Sequence, residues 1–465
     1  MKHGLWIASL IVALSLSAFV GAQGRQGRRG PGGNRPPDMP LAVVPAHDLD
    51  LVLARPTTTS VTLSVLASVD TDATLTYEPG GGQRRLPLKS GVPFEVEITE
   101  LSADQSYRYT IAGTSGPLVT GTFRTARPGG APFTFAVQAD SHLDANTDPQ
   151  VYVNTLSHIV ADQPDFLVDL GDTFMTDKFP KFTDAVPQYL AQRYYLGLAG
   201  RTMPIFLTLG NHDGEVGWST RDSAAMTTWA RDMRNRFFPP VRSNAFYTAG
   251  SSASAYYAWK WGDALFIVLD PFSDTRTRPG QVGDGWTWTL GREQYEWLER
   301  TLSSSRARYT FVFIHHLVGG RPDGRAAEAR GGAEASRFFE WGGANADGSP
   351  GFGAHRAGWR LPIHELLRAH RVTAVFHGHD HLYVHQERDG IAYQEVPQPG
   401  HARGDSTNSA AEYGYASGTL LGSSGHLRVA VSSRAATVEY VRSRLTGPEA
   451  DVADRYVLNP SEQFR

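Results

Sequence analysis

Five apolar runs in the C-terminal two thirds of the chain each end in histidine or aspartate side chains. The runs are FTFAVQADSH, DFLVDLGD, PIFLTLGNHD, YTFVFIHH and VTAVFHGHDH, and they end at residues 142, 172, 213, 316 and 381. Amphipathic stretches such as DPQVYVNTLSHIVADQPD lie between them, and Asp148 is placed to cap that helix. Strands that alternate with helices predict an α/β domain, in which the carboxyl ends of the strands meet at one crevice. We therefore expect the polar residues at these ends to form one site.

Composition restricts the kind of protein and the kind of site. The chain has 465 residues, which is enough for more than one domain. Its net charge is −3 and 41% of its residues are hydrophobic, which is typical of globular proteins and predicts no nucleic-acid partner. The absence of cysteine excludes disulfides and thiolate metal ligands.

The first 22 residues have the pattern of a cleavable export signal. A basic start precedes an apolar run from Leu5 to Val20, and small residues follow up to Ala22. The alternative is a membrane anchor, but the run is shorter than the roughly 20 residues that a spanning helix needs. Residues 23–44 are rich in Gly, Pro and Arg, which predicts a disordered linker, with a basic surface tether as the alternative. We expect a secreted or periplasmic protein with no transmembrane segment after signal removal.

Residues 45–127 predict a small all-β sandwich. SVTLSVLA and DATLTYEP alternate apolar and polar residues, and GGGQ supplies a turn. The stretch from Leu101 to Tyr109, in which Tyr107 can reach back to the backbone, resembles the corner of a fibronectin type III domain. GTFRTA resembles the last strand of that domain. The polar residues of this region are scattered along strand faces, so we expect no catalysis there.

Each polar strand end is weak evidence when it is taken alone. A single histidine after a strand is more often a hydrogen-bonded structural residue than a ligand. Asp270 also ends an apolar run and is interpreted as structural, as are Asp169 and His377, while His316 has no clear assignment. Five such ends in one chain are very improbable by chance.

The motifs Asp-x-His, Gly-Asp, Gly-Asn-His-Asp, His and Gly-His-x-His, in this order, resemble those of the calcineurin-like metallophosphoesterases. The resemblance covers about residues 130 to 443, within a domain that we place at 128–445. The β-sandwich in front of it makes the layout similar to that of the purple acid phosphatases. The resemblance implies an α/β fold, namely a four-layer α/β/β/α metallophosphoesterase sandwich preceded by a small all-β sandwich domain.

The resemblance also implies two metal ions. The ligands of one ion would be Asp140, His142, Asp172 and His381. Those of the other would be Asp172, Asn211, His315 and His379. The shared carboxylate would bridge both ions. Imidazole and carboxylate ligands suit Fe, Mn, Zn or Co, and of these we expect Fe, Mn or Zn.

The sequence departs from the purple acid phosphatases in two positions. Those enzymes have a tyrosine three residues after the Gly-Asp aspartate, where this chain has Met175. They also lack the histidine of Asp-x-His, which is His142 here. A purple, tyrosinate-bound iron is therefore not expected.

By this resemblance the protein is expected to be a phosphoesterase that acts through a hydroxide bridging two metal ions. We expect it to hydrolyse a small phosphate monoester, with a phosphodiesterase, a nucleotide pyrophosphatase or a non-catalytic binding protein as alternatives. His212 is the candidate proton donor to the leaving group. The alternative is that it supports the metal ligands without acting on the substrate. Asp213 is a candidate catalytic residue that would orient His212, or it caps the turn.

Residues 317–358 form an irregular, glycine-rich insertion between two ligand motifs. Arg325, Arg330 and Arg337 are candidate substrate-binding residues, because guanidinium groups bind phosphate. The aromatic residues of RFFEW could stack on a leaving group or pack the segment itself. The insertion is either a substrate lid or a surface loop with a small local core. Residues 446–465 show no pattern and are expected to be a C-terminal tail.

Overall fold

The computed structural model describes residues 44–218, 223–250, 255–279, 285–322, 328–401, 404–446 and 451–461. The predicted signal 1–22 and all but the last residue of the predicted linker 23–44 lie outside the described residues. The described part of the chain belongs to one compact unit. None of its helices combines the length and the apolar character that crossing a bilayer requires.

A small β-sandwich of seven strands comes first. Its strands are β1 Leu49–Ala54, β2 Val61–Ala67, β3 Thr71–Glu78, β4 Gly82–Leu88, β5 Phe94–Ile98, β6 Ser106–Gly113 and β7 Gly116–Arg124. They form a three-stranded sheet, β1-β2-β5, and a four-stranded sheet, β4-β3-β6-β7, both antiparallel. Leu63, Leu75 and Ile111 are fully buried between them. The backbone N–H of Ser102 donates to the Tyr107 hydroxyl at 2.8 Å, which confirms the predicted corner.

The larger domain contains two further sheets. Its strands are β8 Phe133–Gln138, β9 Phe166–Asp169, β10 Ile205–Leu207, β11 Thr248–Ala249, β12 Tyr257–Trp261, β13 Ala264–Val268, β14 Tyr309–Phe313, β15 Ala374–His377, β16 Leu382–Arg388, β17 Ile391–Glu395, β18 Thr419–Gly422, β19 Gly425–Val431, β20 Ala436–Arg442 and β21 Asp451–Leu458. One sheet has six strands in the order β10-β9-β8-β19-β20-β21. The other has eight in the order β11-β12-β13-β14-β15-β17-β16-β18.

Helices cover the outer faces of both sheets. The helices are α1 Pro149–Ala161, α2 Val186–Gly200, α3 Ser223–Phe237, α4 Gly291–Ser303, α5 Phe339–Gly342, α6 Phe352–His355, α7 Ile363–Ala369 and α8 Ala410–Tyr413. Side chains of α1 and α2 pack on the six-stranded sheet, and those of α4 and α7 pack on the eight-stranded sheet. Between the sheets, Phe135 and Phe166 of one meet Phe266 and Phe311 of the other. The domain is therefore the predicted four-layer α/β/β/α sandwich.

Asp148 begins α1 as predicted from the sequence. Its Oδ1 accepts hydrogen bonds from the backbone N–H groups of Gln150 at 2.8 Å and Val151 at 3.3 Å. These amides belong to the first turn of the helix, where no carbonyl within the helix is available to them.

The β-sandwich is held against α2 by buried polar contacts. Arg193 of α2 is fully buried and donates to the carbonyl of Ser64 in β2 and to that of Phe237 at the end of α3. The Tyr109 hydroxyl of β6 donates to the Arg201 carbonyl at 2.6 Å. Because the two Arg193 contacts pair a buried donor with buried acceptors, breaking them would leave these groups unsatisfied.

The expectation of a tail at residues 446–465 was wrong for its central part. Strand β21 pairs antiparallel with β20 at the edge of the six-stranded sheet. Val452 and Val457 remain exposed on it, so its residues do not show the alternation of a half-buried strand. The pairing depends on the free edge of β20, the preceding strand, and not on an alternating pattern within β21 itself.

Candidate metal centre

The predicted ligands lie just beyond the carboxyl ends of strands from both large sheets. Strands β8, β9 and β10 run parallel in one sheet, and β14 and β15 run parallel in the other. Asp140 lies two residues after β8, and His315 and His379 lie two residues after β14 and β15. The two sheets therefore present their ligands to the same crevice, as the sequence predicted.

The first group of ligands is Asp140, His142 and His381, whose candidate ligand atoms all lie within 4.8 Å of one another. Asp140 Oδ1 lies 3.7 Å from His142 Nε2 and 3.5 Å from His381 Nε2. The second oxygen of Asp140 accepts a hydrogen bond from the backbone N–H of His379 at 2.8 Å. Oδ1 is thereby left to face the two imidazoles.

The second group is Asp172, His315 and His379, again within 4.8 Å. The Asn211 amide oxygen lies 3.0 Å from His315 Nε2, so it joins this group. His379 Nε2 contacts the carbonyl of Glu328. Because a carbonyl only accepts, Nε2 carries the proton and Nδ1 keeps a free lone pair for a metal.

Asp172 lies between the two groups. Its Oδ2 is 3.5 Å from His142 Nε2 of the first group and 3.5 Å from His315 Nε2 of the second. Its Oδ1 accepts a hydrogen bond from the backbone N–H of His212 at 2.8 Å. One carboxylate oxygen is thus held where two ions could share it.

The candidate ligand atoms are suited to metal ions because the other nitrogen of each ring already has a hydrogen-bond partner. His142 Nδ1 lies 3.3 Å from Asp144 Oδ2, and His315 Nδ1 lies 2.9 Å from the Leu170 carbonyl. These acceptors place the protons on Nδ1, which leaves Nε2 of both rings as a ligand atom. His142 Nε2 and Asp140 Oδ1 are buried, and neither has a hydrogen-bond partner in the described part of the chain. A cation would satisfy both atoms.

The electrostatics of the crevice also favour cations. Burial alone would lower the pKa of His315, but the carboxylates of Asp172 and Asp140 raise it to about 9. Burial alone would raise the pKa of Asp172, yet His315 and His212 hold it well below its usual range. The carboxylates are therefore anionic and attract positive charge into a buried site.

Five of the ligands have a left-handed backbone. The φ angles are 57° at Asp140, 47° at His142, 53° at Asp172, 81° at His379 and 59° at His381. Residues other than glycine rarely adopt this region, and each such residue costs on the order of 1–3 kcal/mol. Such strain is concentrated at functional sites, where the surrounding structure compels it.

Two glycines of the motifs are required by close approach. A Cβ at Gly210 would lie 2.2 Å from Asp172 Oδ1, and a Cβ at Gly378 would lie 2.6 Å from Asp140 Oδ2. Any larger residue would displace a ligand carboxylate. This explains why glycine precedes Asn211 and His379 in the sequence.

His212 lies beside the ligands and faces a cavity. Its Nδ1 is 3.0 Å from both carboxylate oxygens of Asp177, and its Nε2 is 3.9 Å from Asp172 Oδ2. The His212 side chain is 22% exposed, in contrast to the buried ligand imidazole of His315. Sequence reasoning missed Asp177, because nothing in the stretch after GDTFM distinguishes it from a surface aspartate.

Asp213 has a different environment from the one expected of a catalytic group. Its carboxylate is buried and accepts four backbone hydrogen bonds between 2.7 and 3.1 Å, from Gly210, Asp172, Thr173 and Phe174. These amides belong to the two loops that carry Asp172 and Asn211. Of the two predicted roles, this geometry corresponds to capping the turn.

Met175 occupies the position where the purple acid phosphatases have a tyrosine. It is buried, with an exposed fraction of 1%, and its φ is 49°. The thioether cannot supply the phenolate that a tyrosine would. The expectation that no tyrosinate binds iron here stays a prediction.

A cavity of about 810 Å³ opens beside the second group of ligands. The described residues that line it are Asp177, Phe179, Pro180, Lys181, Phe182, Asn211, His212, Val216, Trp218, Met226, Arg278, Pro279, Trp288, His316, Glu328, Arg330 and His379. The lining therefore extends from two metal ligands and His212 to an apolar and aromatic surface.

The structure describes two of the three predicted substrate-binding arginines, and their environments differ. Arg330 lines the cavity, but its Nη1 forms an ion pair with the buried Asp380 at 3.0 Å. Arg337 is exposed and does not belong to the described lining. Arg325 lies outside the described residues. Of the two described arginines, Arg330 alone lines the cavity, and there it is engaged by protein.

The aromatic residues of the insertion pack within the protein. Trp341 is fully buried and its indole N–H donates to the Tyr393 hydroxyl at 3.0 Å. Phe339 is 2% exposed. Trp341 and Phe339 therefore pack a local core and do not stack on a leaving group.

Solved structures with the same fold are distant in sequence. The structure of PhoD superposes with a TM-score of 0.61 at 14% identity, over 88% of this chain and 91% of that chain. Purple acid phosphatase PPD1 from yellow lupin (Lupinus luteus) seeds gives a TM-score of 0.62 at 13% identity, over 90% of this chain and 75% of that chain. No curated protein sequence matches this one. At such identities the likeness is one of fold alone.

The sequence also matches a family model over the whole of the ligand-bearing region. Residues 133–383, more than half of the chain, match the model of the calcineurin-like phosphoesterases. This span begins at β8 and ends just after His381, so it includes every predicted ligand. The chain therefore belongs to the calcineurin-like phosphoesterase family.

Proposed function

We propose that the protein is a two-metal hydrolase of phosphate monoesters. The observation that carries this proposal is the position of Asp172 Oδ2, 3.5 Å from an imidazole nitrogen of each ligand group. The proposed ligands of one ion are Asp140, His142, Asp172 and His381, and those of the other are Asp172, Asn211, His315 and His379. With histidine and carboxylate donors, the ions would be Fe, Mn or Zn.

Two bound ions would supply charge to the phosphoryl oxygens and would lower the pKa of a water molecule near them. The protein must hold those ions against their mutual repulsion, and the two buried carboxylates of Asp140 and Asp172 do this. The left-handed ligand backbones and the glycines behind them keep the donors in place before substrate arrives.

His212 is proposed to donate a proton to the leaving oxygen. Its Nδ1 lies 3.0 Å from the Asp177 carboxylate, which fixes the orientation of the ring. The residue lines the cavity that starts at the candidate ligands, and its Nε2 lies 3.9 Å from Asp172 Oδ2. A leaving group in this cavity would receive the proton from Nε2.

A phosphodiesterase is the second candidate, and the state of Arg330 favours it. A monoester carries more negative charge than a diester at neutral pH, and a free guanidinium near the ions would help to bind it. Arg330 is the arginine at this end of the described lining, and it is paired with Asp380. The cavity is also large enough for a second alcohol group.

The test is a substrate panel on protein of known metal content. Matched aryl monoesters, aryl diesters and pyrophosphates would be compared by kcat/KM after reconstitution with Fe, Mn or Zn. A preference for monoesters supports the first candidate, and a preference for diesters supports the second. Failure to hydrolyse any of them with two ions bound would contradict both and would favour a binding protein.

We also propose that the protein is exported, on the basis of the pattern in residues 1–22. Mass spectrometry of the protein recovered from its native cell would show a mature N-terminus near Gln23. Recovery of the intact N-terminus in the cytoplasm would contradict export.

A further inference from the structure

The wall of the cavity is a continuous row of rings that starts at a metal ligand. The ring centres of His379 and His316 are 5.3 Å apart, those of His316 and Trp288 are 4.4 Å apart, and those of Trp288 and Trp218 are 5.2 Å apart. The row leads from the second ligand group to Trp218, which is half-buried. Six further apolar side chains belong to the described lining, and they are Phe179, Pro180, Phe182, Val216, Met226 and Pro279.

His316 adds a polar atom to this wall. The residue is 1% exposed, and its Nδ1 lies 3.1 Å from the Leu317 carbonyl. Because the carbonyl only accepts, Nδ1 carries the proton and Nε2 of the neutral ring is an acceptor. This Nε2 is buried and no described residue pairs with it. A buried polar atom without a partner beside a ligand-sized cavity indicates that a ligand supplies the partner.

The charged groups of the lining are mostly engaged by protein. Asp177 contacts His212, and Arg330 contacts both Glu328 and Asp380. Lys181 and Arg278 also line the cavity and are exposed. Arg330, which contacts the His379 carbonyl next to the ligands, is thus already held by protein carboxylates.

We propose that this cavity is the binding site for a planar aromatic or heteroaromatic group on the alcohol side of the phosphate ester. The inference rests on the proposed function, since it places the phosphorus between the two ligand groups. Trp288 is 2% exposed and its ring is perpendicular to that of Trp218, so the ligand ring stacks on the half-buried Trp218, and an O–H or N–H on its edge donates to His316 Nε2. Rings stack favourably on such surfaces because their π systems interact beyond the area that they bury.

The choice of substrates must separate ring binding from leaving-group chemistry. 2-Naphthylmethyl phosphate and its saturated analogue decahydronaphthalen-2-ylmethyl phosphate release primary alcohols of similar acidity and size, so the chemical step is matched and only the aromaticity of the ring differs. The corresponding phosphonates are not hydrolysed, and calorimetry on the metal-loaded protein measures their binding without turnover. Binding therefore tests the site even if the protein hydrolyses no ester.

The variants are Trp218→Ala and, as a control, Trp359→Ala. Trp359 is also half-buried and stacks on Tyr295 at 4.2 Å, but it does not line the cavity. We expect the wild type to bind the naphthyl phosphonate roughly 3–10-fold more tightly than the decahydronaphthyl one, which is the range for an aromatic pair. Trp218→Ala should abolish that preference, and Trp359→Ala should retain it.

Equal binding of the two phosphonates to the wild type would overturn the proposal, as would a preference that survives in Trp218→Ala. Hydrolysis of both esters with no ring preference would support the proposed function and would refute the inference about the cavity. A ring preference in binding, without hydrolysis of either ester, would leave the inference standing and refute the proposed function.

His316→Phe tests the polar part of the site. It keeps a ring in the wall and removes Nε2. A naphthylmethyl phosphonate with a ring hydroxyl should bind the wild type more tightly than the unsubstituted compound. His316→Phe should lose this difference while it keeps the preference for naphthyl over decahydronaphthyl. A hydroxyl that has no effect on wild-type affinity would refute the role of Nε2.

Discussion

Arg330 Nη1 lies 3.0 Å from Asp380 Oδ1, and Asp380 stands between the two ligands His379 and His381. The same Nη1 donates to the His379 carbonyl at 2.8 Å. The other oxygen of Asp380 accepts hydrogen bonds from Gly331 N at 2.8 Å and from the Tyr415 hydroxyl at 2.6 Å. Arg330 thus attaches the insertion 317–358 to the loop that carries His379 and His381. A lid would have to move at this point, so the contacts favour a fixed segment there.

Replacing Arg330 should therefore weaken metal binding and not only substrate binding. We expect Arg330→Met to lower the affinity for metal about 10–100-fold, which is typical when a partner of a ligand loop is lost. Competition with a chelator measures this. Arg330→Lys, which keeps the charge, should be affected less.

Arg337→Met is the matched control, because Arg337 is exposed on the same insertion. It should bind metal as the wild type does. If Arg330→Met kept full metal affinity and raised KM for every phosphate ester, Arg330 would be a substrate ligand, as the sequence analysis expected.

Asp172→Asn should lose both ions. The amide keeps the shape of the side chain but removes the negative charge that lies between the two groups, and one oxygen serves both of them. Elemental analysis of the purified variant should show far less than two ions per chain. Retention of one tightly bound ion would show that Asp172 does not bridge.

His212→Ala should keep its metals and lose catalysis. We expect a decrease in kcat of roughly 10²–10⁴-fold, the usual range for a general acid. The activity of the variant should be partly rescued on an ester whose leaving group has a low pKa, because that leaving group needs no proton. Loss of metal from His212→Ala would instead identify His212 as a ligand.

The metal-loaded wild type should contain about two transition-metal ions per chain and have no tyrosinate-to-iron colour. The reason is that Met175 is buried in place of a tyrosine. Elemental analysis and a visible absorption spectrum test both statements. A charge-transfer band that persists after removal of loosely bound iron would contradict the second.

Away from the site, Asp162 should contribute to stability in its charged form. It follows α1 and contacts His426 Nε2 at 2.8 Å and the guanidinium of Arg428. Burial raises the pKa of Asp162, but His426 and Arg428 hold it below the usual value. A lowered folded pKa means that the contribution is present above the unfolded pKa of about 3.9 and is lost as pH falls through the folded pKa.

Asp162→Asn should consequently lower Tm at pH 7, and its difference from the wild type should shrink as the pH falls below 4. Calorimetry of both proteins across this range measures the difference, and any general effect of acid on the metal centre is common to both. A difference that grows at low pH would contradict the assignment.

Much of the candidate centre was accessible from the sequence, because its ligands follow strands directly. An apolar run defines a strand locally, and the carboxyl ends of parallel strands meet wherever the sheets pack. The positions of Asp140, Asp172, His315 and His379 therefore follow from pattern and family motif. The cap at Asp148 is also local.

Tertiary structure decided which residues surround those ligands. Asp177 orients His212, Asp380 engages Arg330, and β21 pairs with β20. In each of these contacts one partner, namely Asp177, Asp380 or β21, was not distinguished by its local sequence. The wall of the cavity likewise combines Trp218, Trp288 and His316, which come from three separate loops.

The physical reason is the range of the interactions. Periodicity and capping depend on neighbours within a few residues, and the sequence alone determines the strands, the helices and the polar residues at their ends. Partners in buried ion pairs, edge pairing and ring contacts depend on which surfaces packing brings together. In this protein the ligands belong to the first class, and the environment that would select the substrate belongs to the second.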